Sequence, residues 1–372
     1  MKARWLVLCG ALLTQAACGA RDSLRLDGAN GSGASGGGGG ATGTGGAGGE
    51  AGSAPSCPVD AFAGDRTGGL RTAVDATHAF WTTIDGDLER GSLTTGEVTT
   101  LTSLGTATSA IALTETDVIA ANDFQLMRVP KAGGDFESLA PGAFRPVDVV
   151  AVDGTIFLLD YGGGFFTGRI YEWTPRSGLV LRFEGLDFPR AFAVDATDVV
   201  VITQSAMIDG EFLSNGVLVR FSREDFKPTV LAVNVEEPFG VEMRGETIFY
   251  GSGLSPESTI NGRLFSISKA GGAPTLVSDL GVEALPLAFV IDDSFAYITL
   301  PIFDIEPQSL TSRLVKVPLS GGVPAVILEQ KDRFFTEPAV SPTHLVMSVQ
   351  NPTSGTFPDL DNVLVFCGPF QE

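Results

Sequence analysis

The chain contains two histidines, His78 and His344, and they are its first candidates for acid–base chemistry. A histidine beside a carboxylate acts as a general base, and a serine nucleophile without one lacks its base. Both histidines stand at equivalent places in a sequence repeat, four residues after an apolar strand residue, where a hairpin turn is expected. We interpret them as turn residues on the face opposite the usual ligand site. A catalytic pair of histidine and carboxylate is the alternative.

One acidic segment has part of the pattern of a calcium-binding loop. Asp359-Leu360-Asp361-Asn362 alternates acidic residues but lacks the glycine and the distal glutamate of the full motif. A glycine-rich stretch over 28–56 is not followed by the lysine of a phosphate-binding loop. The sequence therefore predicts neither a resident metal nor an organic cofactor.

Charged residues stand just before the predicted inner strands, where they would border a central opening. They are Arg71, Arg145, Arg190, Glu237 and Glu337. A ring of mixed charge suits a small polar ligand, and the alternative is that these charges neutralise one another. Asp148 and Glu237 are the carboxylates that an enzyme of this architecture would have near the opening.

Long connections follow the second strand of five consecutive repeats. They run over Asp160 to Gly168, Gln204 to Gly216, Gly251 to Gly262, Leu300 to Ser312, and Gln350 to Asn362. Long loops on a rigid scaffold are frequent places for binding. In the first of them, Phe165 and Phe166 are flanked by glycines and form a candidate aromatic anchor for a partner. Packing over the neighbouring repeat is the alternative.

The elements that position these residues come from a repeat. An apolar residue just before a turn recurs at Val74, Leu113, Val152, Val194, Met243, Ile291 and Val340, with spacings of 39 to 49 residues. This period is that of a four-stranded propeller blade and exceeds that of common helical repeats. A second apolar strand follows each turn at once, so that the first two strands form a tight hairpin.

A third strand and a glycine-containing turn complete the unit. The third strand alternates apolar and polar residues, as in Leu218-Val219-Arg220-Phe221, which is typical of a half-buried strand. Turns such as Lys269-Ala270-Gly271-Gly272 lead to a fourth strand, where an initial proline suits an outer edge. The sequence predicts an all-β fold, a seven-bladed β-propeller of four-stranded antiparallel blades.

The last repeat ends after its third strand, Val363 to Cys367, and lacks a fourth. The segment Pro58-Val59-Asp60-Ala61-Phe62 precedes the first repeat and would supply the missing strand, closing the propeller. Closure of this kind places Cys57 beside Cys367, the two cysteines at the ends of the repeat region. We therefore expect a disulfide between them. A metal site is the alternative, although two thiols and two histidines make a poor one.

The N-terminus has the organisation of an export signal. Two basic residues precede an apolar stretch from Trp5 to Leu13, which is too short to span a bilayer, and small residues follow. Ala16-Ala17-Cys18-Gly19 resembles the lipobox of bacterial lipoproteins, although Gln15 stands where leucine is favoured. The resemblance implies that Cys18 is lipidated, and simple cleavage without lipid is the alternative. The predicted domains are a signal peptide (1–17), a disordered glycine-rich tether (18–56) and a propeller (57–372).

Composition bounds the partners and the location. The formal net charge of −20 argues against nucleic acid and against anionic lipid as partners. From Cys57 onward the chain resembles, in architecture only, the degenerate-repeat propellers of bacterial exported lipoproteins. Together with the N-terminal signal and the lipobox-like Cys18, this resemblance leads us to expect an exported protein held at the cell envelope, on the outer membrane, by its lipid alone. The sequence favours a binding or scaffold protein for an unknown protein or small polar ligand. A propeller hydrolase or lyase, such as a metal-dependent lactonase, is the alternative.

Overall fold

The computed structural model describes residues 61–63, 71–142, 144–254, 260–282, 286–304, 309–351 and 359–367. Every regular element within these ranges is a β-strand. The described residues include no helix that is long and apolar enough to span a membrane. The predicted signal peptide, the tether, Cys18 and Cys57 lie outside the described residues, so the predictions about them remain predictions.

The strands are antiparallel, and we group them into units numbered 1 to 7 along the chain. A short strand, β1 (Ala61–Ala63), precedes unit 1. Unit 1 contains β2 (Thr72–Val74), β3 (His78–Thr82), β4 (Asp87–Ser92) and β5 (Val98–Ser103). Unit 2 contains β6 (Ala110–Leu113), β7 (Asp117–Ala121), β8 (Gln125–Pro130) and β9 (Glu137–Pro141). Each of these units is a sheet of four strands in chain order.

Units 3 and 4 form one eight-stranded sheet because a single strand belongs to both. The sheet contains β10 (Pro146–Val152), β11 (Thr155–Asp160), β12 (Gly168–Thr174), β13 (Gly178–Val194), β14 (Asp198–Ile208), β15 (Glu211–Leu213), β16 (Val217–Ser222) and β17 (Pro228–Val233). The first part of β13 pairs with β12 and closes unit 3, while its second part pairs with β14 and opens unit 4.

The remaining strands complete units 5 to 7. Unit 5 contains β18 (Pro238–Arg244), β19 (Thr247–Leu254), β20 (Ile260–Ser268) and β21 (Thr275–Val282), and unit 6 contains β22 (Ala288–Ile291), β23 (Phe295–Asp304), β24 (Ser309–Pro318) and β25 (Ala325–Lys331). Unit 7 contains β26 (Phe334–Phe335), β27 (Ala339–Val340), β28 (His344–Asn351) and β29 (Asp359–Cys367). The N-terminal β1 pairs with β29, with Ala61 opposite Leu364.

The first strands of the units lie side by side. β2 contacts β6, β6 contacts β10, β10 contacts the second part of β13, and the series continues through β18, β22 and β27 back to β2. We call the space that these strands border the central channel. Together with the four-stranded units, this arrangement makes the fold β-propeller-like.

The core lies between neighbouring units. The second strand of each unit is buried on both faces, so it has a continuous apolar run rather than an alternating pattern. Val199, Val200 and Val201 on β14 are all fully buried. In one core cluster Phe80 and Leu88 of unit 1 pack against Val118 of unit 2, which shows how face-to-face contact of units stabilises the structure.

Three of the predicted long loops are largely strand. Pairing between β23 and β24 continues from Leu300 opposite Arg313 to Asp304 opposite Ser309. In unit 4, β14 runs on to Ile208 and pairs with the added strand β15 within the predicted loop Gln204 to Gly216. In unit 5, β19 reaches Leu254 and β20 begins at Ile260. The prediction of loops was wrong there because these segments extend the hairpin ladder beyond the body of the sheet.

Candidate functional site

The central channel contains one arginine that joins several units. Arg71 precedes β2, and its Nε donates to the carbonyl of Ser109 at 2.7 Å while its Nη2 donates to the carbonyl of Val147 at 2.9 Å. Its Nη1 forms an ion pair with Glu337, just before β27. A single guanidinium thus contacts units 1, 2, 3 and 7. The planar fork of arginine donors suits such multiple bonding.

Two carboxyl groups face the same channel from β10 and β18. Burial raises the pKa of Asp148 to about 6, and the positive charge of Arg71 partly opposes that rise. Burial, together with the negative charge of Asp148, raises the pKa of Glu242 to about 8. Near neutral pH, Asp148 is therefore mostly ionised and Glu242 is mostly protonated. Burial also lowers the pKa of Arg71, which lies beside Asp148. Two carboxyl groups whose pKa values differ in this way because of their environment can act as a base and an acid.

A second ion pair lies nearer than the Arg71 pair to one face of the units. This face is the one on which the second strand of each unit connects to the third. Arg190 Nη2 on β13 lies 3.8 Å from the Glu237 Oε2 atom. The Arg145 amide donates to Asp160 Oδ1 at 2.6 Å, and the Arg145 carbonyl accepts from the Tyr161 amide at 2.9 Å. Burial raises the pKa of Tyr161, and the charges of Arg190 and Arg145 oppose the rise. The sequence-predicted charged residues thus form two groups, one around Arg71 and one around Tyr161.

Aromatic side chains form an exposed patch beside Tyr161. Phe165 is 77% exposed and packs edge-on against Phe188, with ring centroids 6.4 Å apart, and Tyr161 contacts the same ring at 5.3 Å. Phe166 packs edge-on against Phe212 at 5.5 Å. We call these five residues the aromatic patch. Phe165 and Phe166, which the sequence singled out, therefore contact other aromatic rings, and Phe165 remains open to solvent.

The backbone under this patch is held in an uncommon conformation. Phe166 has a φ of 58° and Phe188 a φ of 50°, each of which costs an L-residue on the order of 1 to 2 kcal/mol. The loop before Phe166 is fixed by Thr167 Oγ1, which accepts from the amides of Gly163 and Gly164 at 2.9 and 2.8 Å. Gly162 has a φ of 75°, and a Cβ there would lie 2.2 Å from the Thr167 carbonyl oxygen.

The added hairpin of unit 4 supports the other side of the patch. Thr203 Oγ1 donates to the Asp187 carbonyl at 2.6 Å, and Ser205 Oγ donates to Asp187 Oδ2 at 2.9 Å. These bonds join β13 to β14 beyond the body of the sheet. Phe212 lies on β15, opposite Met207. The extended strands therefore give the aromatic rings a rigid base.

The histidines lie at the opposite end of the units. His78 and His344 begin the second strands β3 and β28, and each Nδ1 lies 2.8 Å from the hydroxyl oxygen of the preceding threonine, Thr77 or Thr343. Burial lowers the pKa of both. Asp359 to Asn362 form the start of strand β29. Among the described side chains, no group of three or more His, Cys, Asp or Glu is placed to hold a metal ion.

Glu242 was missed at the sequence level, although the repeat contains a signal for it. The residue before the recurring apolar position is alanine in five repeats and valine in one: Ala73, Ala112, Ala151, Ala193, Val290 and Ala339. Only the fifth repeat has a charged residue there, Glu242. A charged residue at a position that is small and apolar in the other repeats indicates a side chain with a role beyond packing, here a titratable group in the central channel.

Comparisons with known proteins concern the fold. No known family matches the sequence, and no curated protein does. Among solved structures, the chain is similar to hydrazine synthase of Kuenenia stuttgartiensis, at 12% identity over 82% of this chain and 97% of that chain, with a TM-score of 0.56. A regucalcin of Agrobacterium tumefaciens matches at 13% identity over 80% of this chain and 90% of that one, with a TM-score of 0.44. The likeness to the hydrazine synthase, at 12% identity, supports a β-propeller-like fold and nothing about activity.

Proposed function

We propose that this protein is an exported binding or scaffold protein of the cell envelope, whose aromatic patch and adjacent charged residues contact a protein or a small polar ligand. The exposed aromatic patch is the observation that carries this proposal. Large aromatic residues on a rigid base are the side chains that most often contribute binding energy at interfaces. The strained backbone at Phe166, in a connection between strands, and at Phe188, where β13 passes from unit 3 to unit 4, fixes the two rings in the patch.

The charges near the patch favour binding over bond-breaking chemistry. Arg190 is paired with Glu237, so these two side chains hold each other in place. Fixed pairs of this kind offer directional hydrogen bonds at the edge of an apolar surface, which suits recognition.

The experiment that tests the proposal is photo-crosslinking in the producing cells. Phe165 is replaced by p-benzoylphenylalanine, and a matched variant has the same replacement at Val323, which is 86% exposed on a turn at the opposite end of the units. We expect a discrete crosslinked species from position 165 that is absent from position 323. The same species from both positions, or none from position 165, would count against a partner at the aromatic patch.

The finer architecture is part of the same proposal. We infer seven blades, one for each unit, closed by β1 as the outer strand of unit 7. Support comes from the contacts between successive first strands and from the pairing of β1 with β29. β1 begins four residues after Cys57, and the antiparallel β29 ends at Cys367. Continued pairing of the two strands would bring Cys57 toward the end of β29 that holds Cys367, as the proposed disulfide requires.

Anchoring follows from the sequence. Cys18 with its lipobox-like context would carry the lipid, and the tether over 18–56 would hold the propeller off the membrane. A flexible chain of that length has a root-mean-square span of roughly 35 Å. The lipid is the only membrane contact that we propose.

A second candidate function rests on Asp148 and Glu242. Their different pKa values would let Asp148 accept a proton and Glu242 donate one in the same channel. A hydrolase or lyase, such as a lactonase, would need this division of roles, with a metal ion as a further requirement for the metal-dependent kind. The exposed aromatic patch has no part in such a reaction, which is why we place binding first.

A further inference from the structure

A polar surface pocket, which we call the cavity, is open to solvent on unit 1, at the end of the units opposite the aromatic patch. Its volume is about 290 Å³, and it is lined by His78, Arg90, Ser92, Thr95, Glu97 and Thr99. These residues come from β3, β4 and β5 and from the turn between β4 and β5. Arg90 Nη1 donates to the carbonyl of Lys131 in unit 2 at 2.7 Å, which fixes the guanidinium beside the cavity.

Unit 4 contains the same arrangement with one difference. The segments Val74-Asp75-Ala76-Thr77-His78 and Val194-Asp195-Ala196-Thr197-Asp198 match except at the last residue. Arg220 takes the place of Arg90, since Phe80 is opposite Arg90 and Val200 is opposite Arg220. Arg220 Nη1 donates to the carbonyl of Lys269 at 2.5 Å, and Lys269 pairs with Asp195 as Lys131 pairs with Asp75.

The difference is a carboxylate. In unit 4, Asp198 Oδ1 lies 3.6 Å from Arg220 Nε, and Asp198 Oδ2 lies 3.5 Å from Lys269 Nζ. In unit 1 the equivalent residue is His78, whose pKa is lowered chiefly by burial and further by the charge of Arg90. The imidazole is therefore neutral at pH 7 and supplies no counter-charge.

Arg90 also lacks a carboxylate on the neighbouring strand of unit 1. In unit 2 the equivalent arginine, Arg128, forms an ion pair with its cross-strand neighbour Glu137. The cross-strand neighbour of Arg90 is Thr99. Within the part of the chain that the structure describes, no carboxylate lies within ion-pair distance of Arg90, although Glu97 is at the exposed rim of the cavity.

Two hydroxyl groups of the cavity accept hydrogen bonds from backbone amides. Ser92 Oγ accepts from the amides of Thr94 and Thr95 at 3.3 and 3.2 Å, and Thr95 Oγ1 accepts from the Glu97 amide at 3.3 Å. An oxygen that accepts from an amide directs its own hydrogen elsewhere. The cavity thus combines a guanidinium with hydroxyl donors, which is the equipment for binding an oxyanion.

We propose that this cavity binds the phosphate or sulfate group of a ligand, whose negative charge would pair with Arg90 as the Asp198 carboxylate pairs with Arg220 in unit 4. Ser92, Thr95 and Thr99 would donate to the remaining oxygens, and His78 lines the cavity as an uncharged ring. Glu97 at the rim limits the affinity for a bare dianion. This site is separate from the aromatic patch and does not depend on the function proposed for it.

Calorimetric titration of the full exported chain with sodium sulfate and inorganic phosphate, at constant ionic strength, tests the proposal. We expect sulfate and phosphate each to bind with saturation, at one and the same site. Arg90→Gln should weaken it at least tenfold, Glu97→Gln should tighten it, and the matched control Arg220→Gln should leave it unchanged. Titration with glycerol 3-phosphate separates the two sources of the group, because tighter binding of the ester indicates a ligand-borne phosphate and equal binding indicates the free ion.

His78→Asp keeps the test independent of folding defects. This variant recreates the unit 4 arrangement, so we expect it to keep or raise the melting temperature while losing the anion site at least tenfold. Absence of saturable binding by the parent chain would overturn the proposal. Equal binding by the parent and by a folded Arg90→Gln or His78→Asp variant would overturn it as well.

Discussion

Arg71 and Val147 are 76 residues apart in the chain, and the Arg71 Nη2 atom donates a hydrogen bond of 2.9 Å to the Val147 carbonyl. The same guanidinium bonds to Ser109 and pairs with Glu337. These bonds form together only when the first strands of units 1, 2, 3 and 7 are all in place. Arg71 is therefore a tie between distant parts of the chain at the point where they border the channel.

Replacement of Arg71 by glutamine should destabilise the protein by about 2 kcal/mol, because it removes the shared donors and leaves Glu337 and Asp148 without their counter-charge. Urea denaturation at pH 7 measures the change. The control is Arg128→Gln, which removes an exposed ion pair with Glu137 and should cost no more than about 1 kcal/mol. Similar losses in the two variants would contradict the role of Arg71 as a tie.

The raised pKa of Glu242 predicts a pH dependence of stability. The folded protein holds this proton up to about pH 8, against 4.5 for an ordinary glutamate. The stabilisation is therefore complete below about pH 4.5 and is lost as the pH rises from there through 8. Glu242→Gln should be as stable as the parent at pH 4 and more stable by roughly 2 kcal/mol at pH 9, allowing for the partial exposure of the side chain to the channel.

Melting temperatures across this pH range check the prediction. Glu246→Gln is the matched control, because Glu246 is an exposed glutamate in the turn after β18, and it should follow the parent throughout. The raised pKa of Asp148 predicts a smaller fall between about pH 4 and 6 that persists in the Glu242 variant. A parallel decline of parent and Glu242→Gln between pH 6 and 9 would show that Glu242 is not the titrating group.

Lipidation is tested at Cys18. Because the thiol is the only attachment point in the lipobox-like segment, Cys18→Ala should move the protein from the membrane fraction to the soluble fraction. Immunoblots of fractionated cells measure the distribution, with Cys9→Ala in the predicted signal as a control that should fractionate like the parent. Identical fractionation of Cys18→Ala and the parent would remove the lipoprotein proposal.

The disulfide is tested by mass spectrometry under non-reducing conditions. We expect one linked peptide pair containing Cys57 and Cys367, which vanishes on reduction. Closing a loop of about 310 residues should stabilise the fold by up to about 5 to 6 kcal/mol in the chain-entropy treatment. Two free thiols in the exported protein would contradict both the bond and the proposed closure by β1.

Much of the fold was predictable because the repeat is local in sequence. The apolar residue before each turn and the glycine after most third strands specify hairpins without reference to the rest of the chain. The first strands end at or within one residue of the predicted positions, for example Val74 on β2 and Ile291 on β22. The four-stranded units and the β-propeller-like fold follow from these hairpins.

The sites were less predictable because they depend on neighbours far apart in sequence. The pKa of Glu242 depends on Asp148. The lack of a carboxylate partner for Arg90 becomes evident when Arg90 is compared with Arg220, which pairs with Asp198. Phe188 and Phe212 join the aromatic patch because β13 and β14 extend beyond the body of the sheet. The length of a strand is decided by pairing with its neighbours, and a single segment does not carry that information.

Turnover measurements with the purified full chain test most directly whether this is a binding protein or an enzyme. A panel of lactones is assayed with and without a metal chelator, for the parent and for Asp148→Asn and Glu242→Gln. We expect hydrolysis no faster than the uncatalysed background in every case. Turnover by the parent that the chelator abolishes, and that both channel variants lose, would contradict the binding-protein proposal and establish an enzyme.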